Sequence, residues 1–203
     1  MKIAIIGAGS VGRALGGAWS GEHTVTYGVR DPGDAKHADL SGVQCNAEAV
    51  ACADVVVLCT PWAQTEAAIR SCGDLTGRIV LDCTNPLNAD ATELAVGHTT
   101  SGAELVARWA AGARVCKAMN QIGAPMMAHP VFDADPVMFV CADDPAAKDV
   151  VIQLVAGLGF DPVDIGDLSL ARLLEPFALL WIHLALRCGF GTDFGFATLR
   201  STR

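Results

Sequence analysis

The sequence predicts a doubly wound α/β fold, a mostly parallel sheet with helices on both faces, and three observations carry that prediction. Short apolar runs alternate with stretches of helical period along the chain. Runs such as "DVVVLC" and "RIVLDC" read as strands buried on both faces, and parallel strands of that kind require right-handed crossover helices. The first run passes directly into the glycine spacing "GAGSVG" at 7–12.

In chain order, "KIAII" (2–6) is the first strand, and the glycine turn opens a helix at about 11–20. "TVTYG" (24–28) is the second strand, ending before the Pro32 turn. A short helical pattern at 46–52 leads into the apolar strand 54–59, and the helix at 62–71 starts directly after Pro61. A strand at 78–83 ends in "CTNPL", followed by a helix at 101–110 and the strand "RVCKA" at 114–118. The last third gives strands at 137–141 and 160–165 around a helix at 145–157, then a long helix at 168–187. Residues 1–120 are expected to form the dinucleotide-binding domain, with 121–203 a small C-terminal α/β portion that completes an acceptor pocket.

Composition limits the function classes. The 203 residues carry a formal charge of −8, and neither nucleic acid nor an anionic membrane surface suits an acidic chain, because both demand a positive face. Met1 leads at once into a strand, which leaves no space for a secretory leader and places the protein in the cytoplasm as an expectation. The apolar run at 177–186 is about half the roughly 20 residues needed to cross a bilayer, so it reads as a buried helix or a dimer face. The eight cysteines form no CxxC pair and several sit in strand patterns, as buried thiols in a reducing compartment would.

Ligands of doubly wound sheets sit beyond the carboxyl ends of the strands. Gly7 permits the tight turn out of the first strand, Gly9 lets backbone approach a pyrophosphate, and Gly12 allows close packing of helix on strand. Ser10 and Val11 supply amides and a hydroxyl at the helix start. Arg30 falls about 20 residues after the glycines, where NAD sites place an acid for the ribose 2′-hydroxyl and NADP sites an arginine for the 2′-phosphate. Asp31 is the acid an NAD site would use, but it is one residue late and Pro32 begins a turn there. NADPH is therefore the favoured cofactor, and Lys36 is a candidate second cation. Thr60, Pro61, Trp62, Asn85 and Pro86 follow the next two strands and line the expected track from adenosine to nicotinamide. Trp62 reads equally as a helix-start residue packing into the core. Met119 and Asn120 in "KAMNQIGAPMM" (117–127) reach the nicotinamide end.

Together, "GAGSVG", "GVRDP", "TPW", "TNPL", "KAMNQIGAPMM", "VMFVCADDPAAKDVV" and "LGFDPVDIGDLSLARLLEP" resemble the NADPH-dependent deazaflavin (coenzyme F420) oxidoreductases. They are similar, too, to the cytosolic oxidoreductase domain of the membrane ferric reductases called STEAP. The resemblance runs colinearly from residue 1 to about 187 and implies a Rossmann domain that passes hydride from NADPH to a second ring system. It assigns Gly7, Gly9, Ser10, Val11 and Gly12 to the pyrophosphate and Arg30 to the 2′-phosphate. Thr60, Pro61, Trp62, Met119 and Asn120 fall around the ribose and nicotinamide. The chain departs from the family at Val29, where Ser or Thr is frequent, and at Met119, where Phe is frequent. The tail after Cys188 lies outside the pattern.

Hydride transfer between two ring systems needs no protein nucleophile, so no catalytic acid or base is expected. His98, His129 and His183 are candidates of last resort, with His183 read as a packing residue, and no metal-ligand spacing occurs. A hydroxyacid or imine dehydrogenase would need a large all-helical domain. A flavin or ferric reductase is the nearer alternative, and a non-enzymatic NADP(H)-binding redox sensor is a third. The expected partners are a small-molecule electron acceptor, F420 or a flavin, and a second copy of the chain. Phe177, Leu180, Trp181 and Leu184 are expected between subunits or beside the acceptor.

Overall fold

The computed structural model describes residues 1–199 and residue 201. Eight strands form one sheet: β1 (Lys2–Ile6), β2 (Thr24–Val29), β3 (Val43–Cys45), β4 (Val55–Leu58), β5 (Ile79–Asp82), β6 (Arg114–Lys117), β7 (Val137–Ala142) and β8 (Asp161–Asp164). Their order is β3-β2-β1-β4-β5-β6-β7-β8, with every neighbouring pair parallel except β6 and β7. The order reverses at β1, so the carboxyl ends of β1 and β4 flank the crevice where such sheets bind ligands. The helices are α1 (Ser10–Trp19), α2 (Asn46–Val50), α3 (Trp62–Cys72), α4 (Gly102–Trp109), α5 (Ala124–Met127), α6 (Pro145–Gly157) and α7 (Ala171–Arg187).

Successive residues of a strand face opposite sides of the sheet, which divides the core in two. Ile3, Ile5, Val55, Val57, Ile79 and Leu81 face one layer and pack with Leu15, Trp19, Val151 and Leu154. Ala4, Ile6, Val56, Leu58 and Val80 face the other and pack with Ile69, Val106 and Leu174. Full burial of each such Val, Leu or Ile contributes about 1.5–3 kcal/mol, and this two-sided burial is why the strands read as unbroken apolar runs.

Two elements lie outside the sequence expectation. The three residues of β3 pair with Tyr27–Val29, and the four-residue α5 follows Gly123; both are too short for a period to register. The expected division at 120/121 falls between β6 and β7, where pairing turns antiparallel while the sheet continues. Pro162 stands in the edge strand β8, where a missing N–H costs least.

One expectation changes. The apolar run at 177–186 is part of a continuous helical stretch over Leu168–Arg187, 20 residues with mean hydropathy 1.4, long and apolar enough by composition to span a bilayer. Here one face of it packs on the sheet through Leu174, Glu175, Ala178, Trp181 and Ala185. Its outer face leaves Leu173, Leu180 and Leu186 exposed. Phe177 and Trp181 point inward, away from that leucine face: Phe177 meets Phe139, and Trp181 is buried.

Candidate dinucleotide cleft and acceptor pocket

The three glycines of the opening loop have distinct roles. Gly7 holds φ at +102°, and its N–H bonds Gly28 O at 2.9 Å. A Cβ there would lie 2.9 Å from Cys59 O, so the turn between β1 and α1 needs glycine on both counts. A Cβ on Gly12 would overlap Gly7 O, whereas one on Gly9 would have no atom within 4 Å. Gly9 therefore keeps open space in front of the loop. It is also the N-cap of α1, with no side-chain hydrogen bond closing that helix end. The first amides of α1 are thus left for an anion, with the helix dipole adding to their pull.

A cleft of about 950 Å³ runs from this loop past the end of β2, bordered by Gly7, Gly9, Ser10, Arg30, Lys36, Thr60 and Pro61 among others. Arg30 is exposed at its edge, and among the described residues it has no ion-pair partner, which suits it to a phosphate. Lys36 also borders the cleft, with its ammonium 2.5 Å from Asp34. Asp31 also borders the cleft, but one of its carboxylate oxygens is occupied by the Gly33 N–H at 3.0 Å. Arg13, which sequence reasoning passed over, ties the glycine loop to the 35–39 segment: it donates to Ala8 O, Lys36 O and Asp39. Its position one turn into α1 was the available signal. Gly28 is a further missed position, since a Cβ there would meet Ile6 Cδ1 at 2.6 Å and Asn46 Oδ1 at 2.9 Å.

A second cleft of about 560 Å³ shares Ser10 with the first and is bordered by Val11, Cys83, Asn85, Met119, Asn120, Ile122, Gly123, Trp181 and Thr192. Asn85 and Asn120 clasp each other reciprocally: Asn85 Nδ2 donates to Asn120 O at 2.9 Å, and Asn120 Nδ2 donates to Asn85 Oδ1 at 3.1 Å. Asn120 Nδ2 also reaches Leu174 O on α7. Met119 is fully buried with φ at +60°, a conformation that costs a non-glycine residue about 1–3 kcal/mol and is commonest at functional sites. Trp62 and Pro86 border neither cleft. Trp62 packs on Trp109 with ring centres 5.3 Å apart and planes tilted by 35°, and both it and Pro86 lie against Gly102 at the start of α4. Gly12 is likewise a packing position. His98, His129 and His183 border neither cleft, and His183 is exposed rather than packed.

At the ends of β5 and β6 lies a buried ionic cluster that sequence reasoning missed. Lys117 pairs in register with Asp82 on the neighbouring strand, and its ammonium lies 2.9 Å from Asp82 and 3.5 Å from Glu175. It also donates to Thr84 O. Glu175 accepts the N–H groups of Gly102 and Ala103 at 2.8 and 2.9 Å, so α7 caps the N-terminus of α4 with a carboxylate. Burial pulls the Lys117 ammonium down, but Asp82 and Glu175 outweigh it and leave its pKa raised. Burial pushes the Glu175 carboxyl up, opposed by Lys117 and the two amides. Both of its oxygens accept N–H groups, which is the pattern of the ionised form. The signal was present in "IVLDC", "RVCK" and "LLEPF", each an apolar run broken by one charge.

Comparison with known proteins follows the same lines. Residues 2–86 match the family model "NADP oxidoreductase coenzyme F420-dependent". The F420-dependent NADP reductase of Methanothermobacter thermautotrophicus is 30% identical over 210 residues, covering 92% of this chain and 90% of that protein. The metalloreductase STEAP3 of Rattus norvegicus is 28% identical over 88% of this chain, which spans only 36% of that protein's length. A crystal structure from Arthrobacter sp. FB24, provisionally assigned as an F420-dependent NADP reductase, superposes with a TM-score of 0.90 at 33% identity over 98% of this chain and 100% of its own. At this identity and coverage, the chain belongs to the coenzyme F420-dependent NADP oxidoreductase family and is an NADP-dependent oxidoreductase.

Proposed function

We propose that the chain transfers hydride between NADP(H) and coenzyme F420. The observation that carries this reading is the second cleft, which opens from the dinucleotide cleft at Ser10 and is walled mainly by Val11, Met119, Ile122 and Trp181. Such a wall suits a flat polycyclic ring. The residues present fit the dinucleotide: open space at Gly9, free amides at the start of α1, and Arg30 for a 2′-phosphate. When bound, the nicotinamide supplies or accepts the hydride. The chain's own work is positional. The α1 amides and Arg30 fix the anionic end, the Asn85–Asn120 clasp braces the second cleft, and the apolar wall keeps water from the reacting faces. Hydride addition to the ring is completed by one proton, which solvent supplies after the hydride has moved, so no side chain is assigned to it.

The test is kcat/KM with NADPH for F420 against FMN, FAD and ferric chelates. A clear F420 preference supports the reading, and a tenfold preference for FMN or FAD rejects it. A flavin or ferric reductase is the second reading, favoured by the 28% identity to a metalloreductase across 88% of the chain. The chain is further proposed to act in the cytoplasm, where eight free cysteines are stable, and as a homodimer through Leu173, Leu180 and Leu186. Light scattering at micromolar concentration tests the dimer, and a monomer refutes it.

A further inference from the structure

The residues after α7 turn back across the mouth of the second cleft. Thr192 borders that cleft, and its carbonyl lies 2.6 Å from where a Cβ on Gly123 would stand. Phe194 stacks on Trp181 with ring centres 4.9 Å apart and planes 11° apart, and its carbonyl accepts Trp181 Nε1–H at 3.1 Å. The carbonyl of Phe196 accepts Val137 N–H at 2.8 Å, and its ring packs on Phe177 at 4.7 Å. The segment is therefore fastened to α7 by a stack and a hydrogen bond, and to the start of β7 by a second hydrogen bond. None of its residues borders the dinucleotide cleft.

We propose that the segment Gly189–Phe196 is the selectivity wall of the acceptor site. By holding Trp181 through Phe194 and setting Thr192 against Gly123, it fixes the width of the cleft for a planar tricyclic ring. Such a ring gains by burying its apolar faces there, whereas a hydrated ferric chelate would have to shed water against an apolar edge. Rigid side chains make this discrimination firm, because a wall already held in place loses little further freedom when the ring enters. The inference rests on the second cleft being the acceptor site, and it assigns the choice of acceptor to a tail that the dinucleotide does not touch.

Two variants test it: Phe194→Ala, which frees Trp181, and Thr192→Trp, which fills the mouth. Binding of F420 and of FMN is read by ring fluorescence in the presence of saturating NADP+, and NADP+ binding is read separately by calorimetry. Each variant should weaken ring binding at least tenfold and leave NADP+ affinity within twofold. Ring affinities equal to wild type in both variants overturn the wall. So does a parallel loss of NADP+ affinity, which would show a general disturbance of the fold. If wild type binds FMN tightly and F420 not at all, the F420 reading fails while the wall is still judged on FMN. If wild type binds neither ring, the acceptor cleft and its wall fail together.

Discussion

Replacing Lys117 by Met isolates the buried cluster. The side chain is fully buried and faces two carboxylates at 2.9 and 3.5 Å. At an effective dielectric constant of about 20, Coulomb's law gives roughly 6 and 5 kcal/mol of gross attraction for those separations. Desolvation of three ions and the mutual repulsion of the carboxylates cancel much of this, yet removing the shared cation leaves both acids buried with that cost uncovered. K117M should therefore lose about 3–5 kcal/mol, the range found when one partner of a buried pair is deleted. Urea unfolding followed by circular dichroism measures the loss, and a change under about 1 kcal/mol would refute the argument. The pH dependence is a sharper check. In wild type, Lys117 holds its proton more tightly folded than unfolded, so its contribution is complete below about pH 10.4 and fades as the pH rises through the folded pKa. In K117M the Glu175 carboxyl, already pushed up by burial, loses its neighbouring cation and binds a proton more tightly still in the folded state. The variant should regain stability as the pH falls from 7 towards about 5; equal loss at both pH values sinks the electrostatic account.

Three other outcomes are expected. Arg30→Ala removes a charged hydrogen bond worth about 1.5–3 kcal/mol and should weaken NADPH roughly 10- to 100-fold while sparing NADH; calorimetry that finds equal cofactor affinities in wild type counts against it. Gly9→Ala and Gly12→Ala should separate binding from folding. The first, with open space around it, should keep the melting temperature and lose NADP+ affinity, while the second drives a methyl into Gly7 O and should lose about 1–3 kcal/mol or more of stability. Thiol titration at pH 8 should label the exposed Cys52 and Cys188 rapidly and leave Cys72, Cys116 and Cys141 unreacted until unfolding, since burial pushes their pKa values up to about 12.

The alternation of the strands was legible because a parallel strand buried on both faces has no polar positions to disguise it, and the glycine loop because backbone overlap at Gly7 and Gly12 admits no other residue. The sequence alone determined the order of the long elements, the glycine turn after the first strand and the position of Arg30 at the end of the second, all of which depend on local spacing along the chain. Tertiary structure decided what depends on neighbours far apart in it. It turned Trp62 against Trp109 and set Lys117 beside Asp82 and Glu175, the latter a contact between residues 58 apart that no period reveals. It also brought Thr192 to the edge of the second cleft and Phe194 onto Trp181. A tail carries no pattern of its own, and its place follows only from the stack on Trp181 and the hydrogen bond to β7 that hold it there.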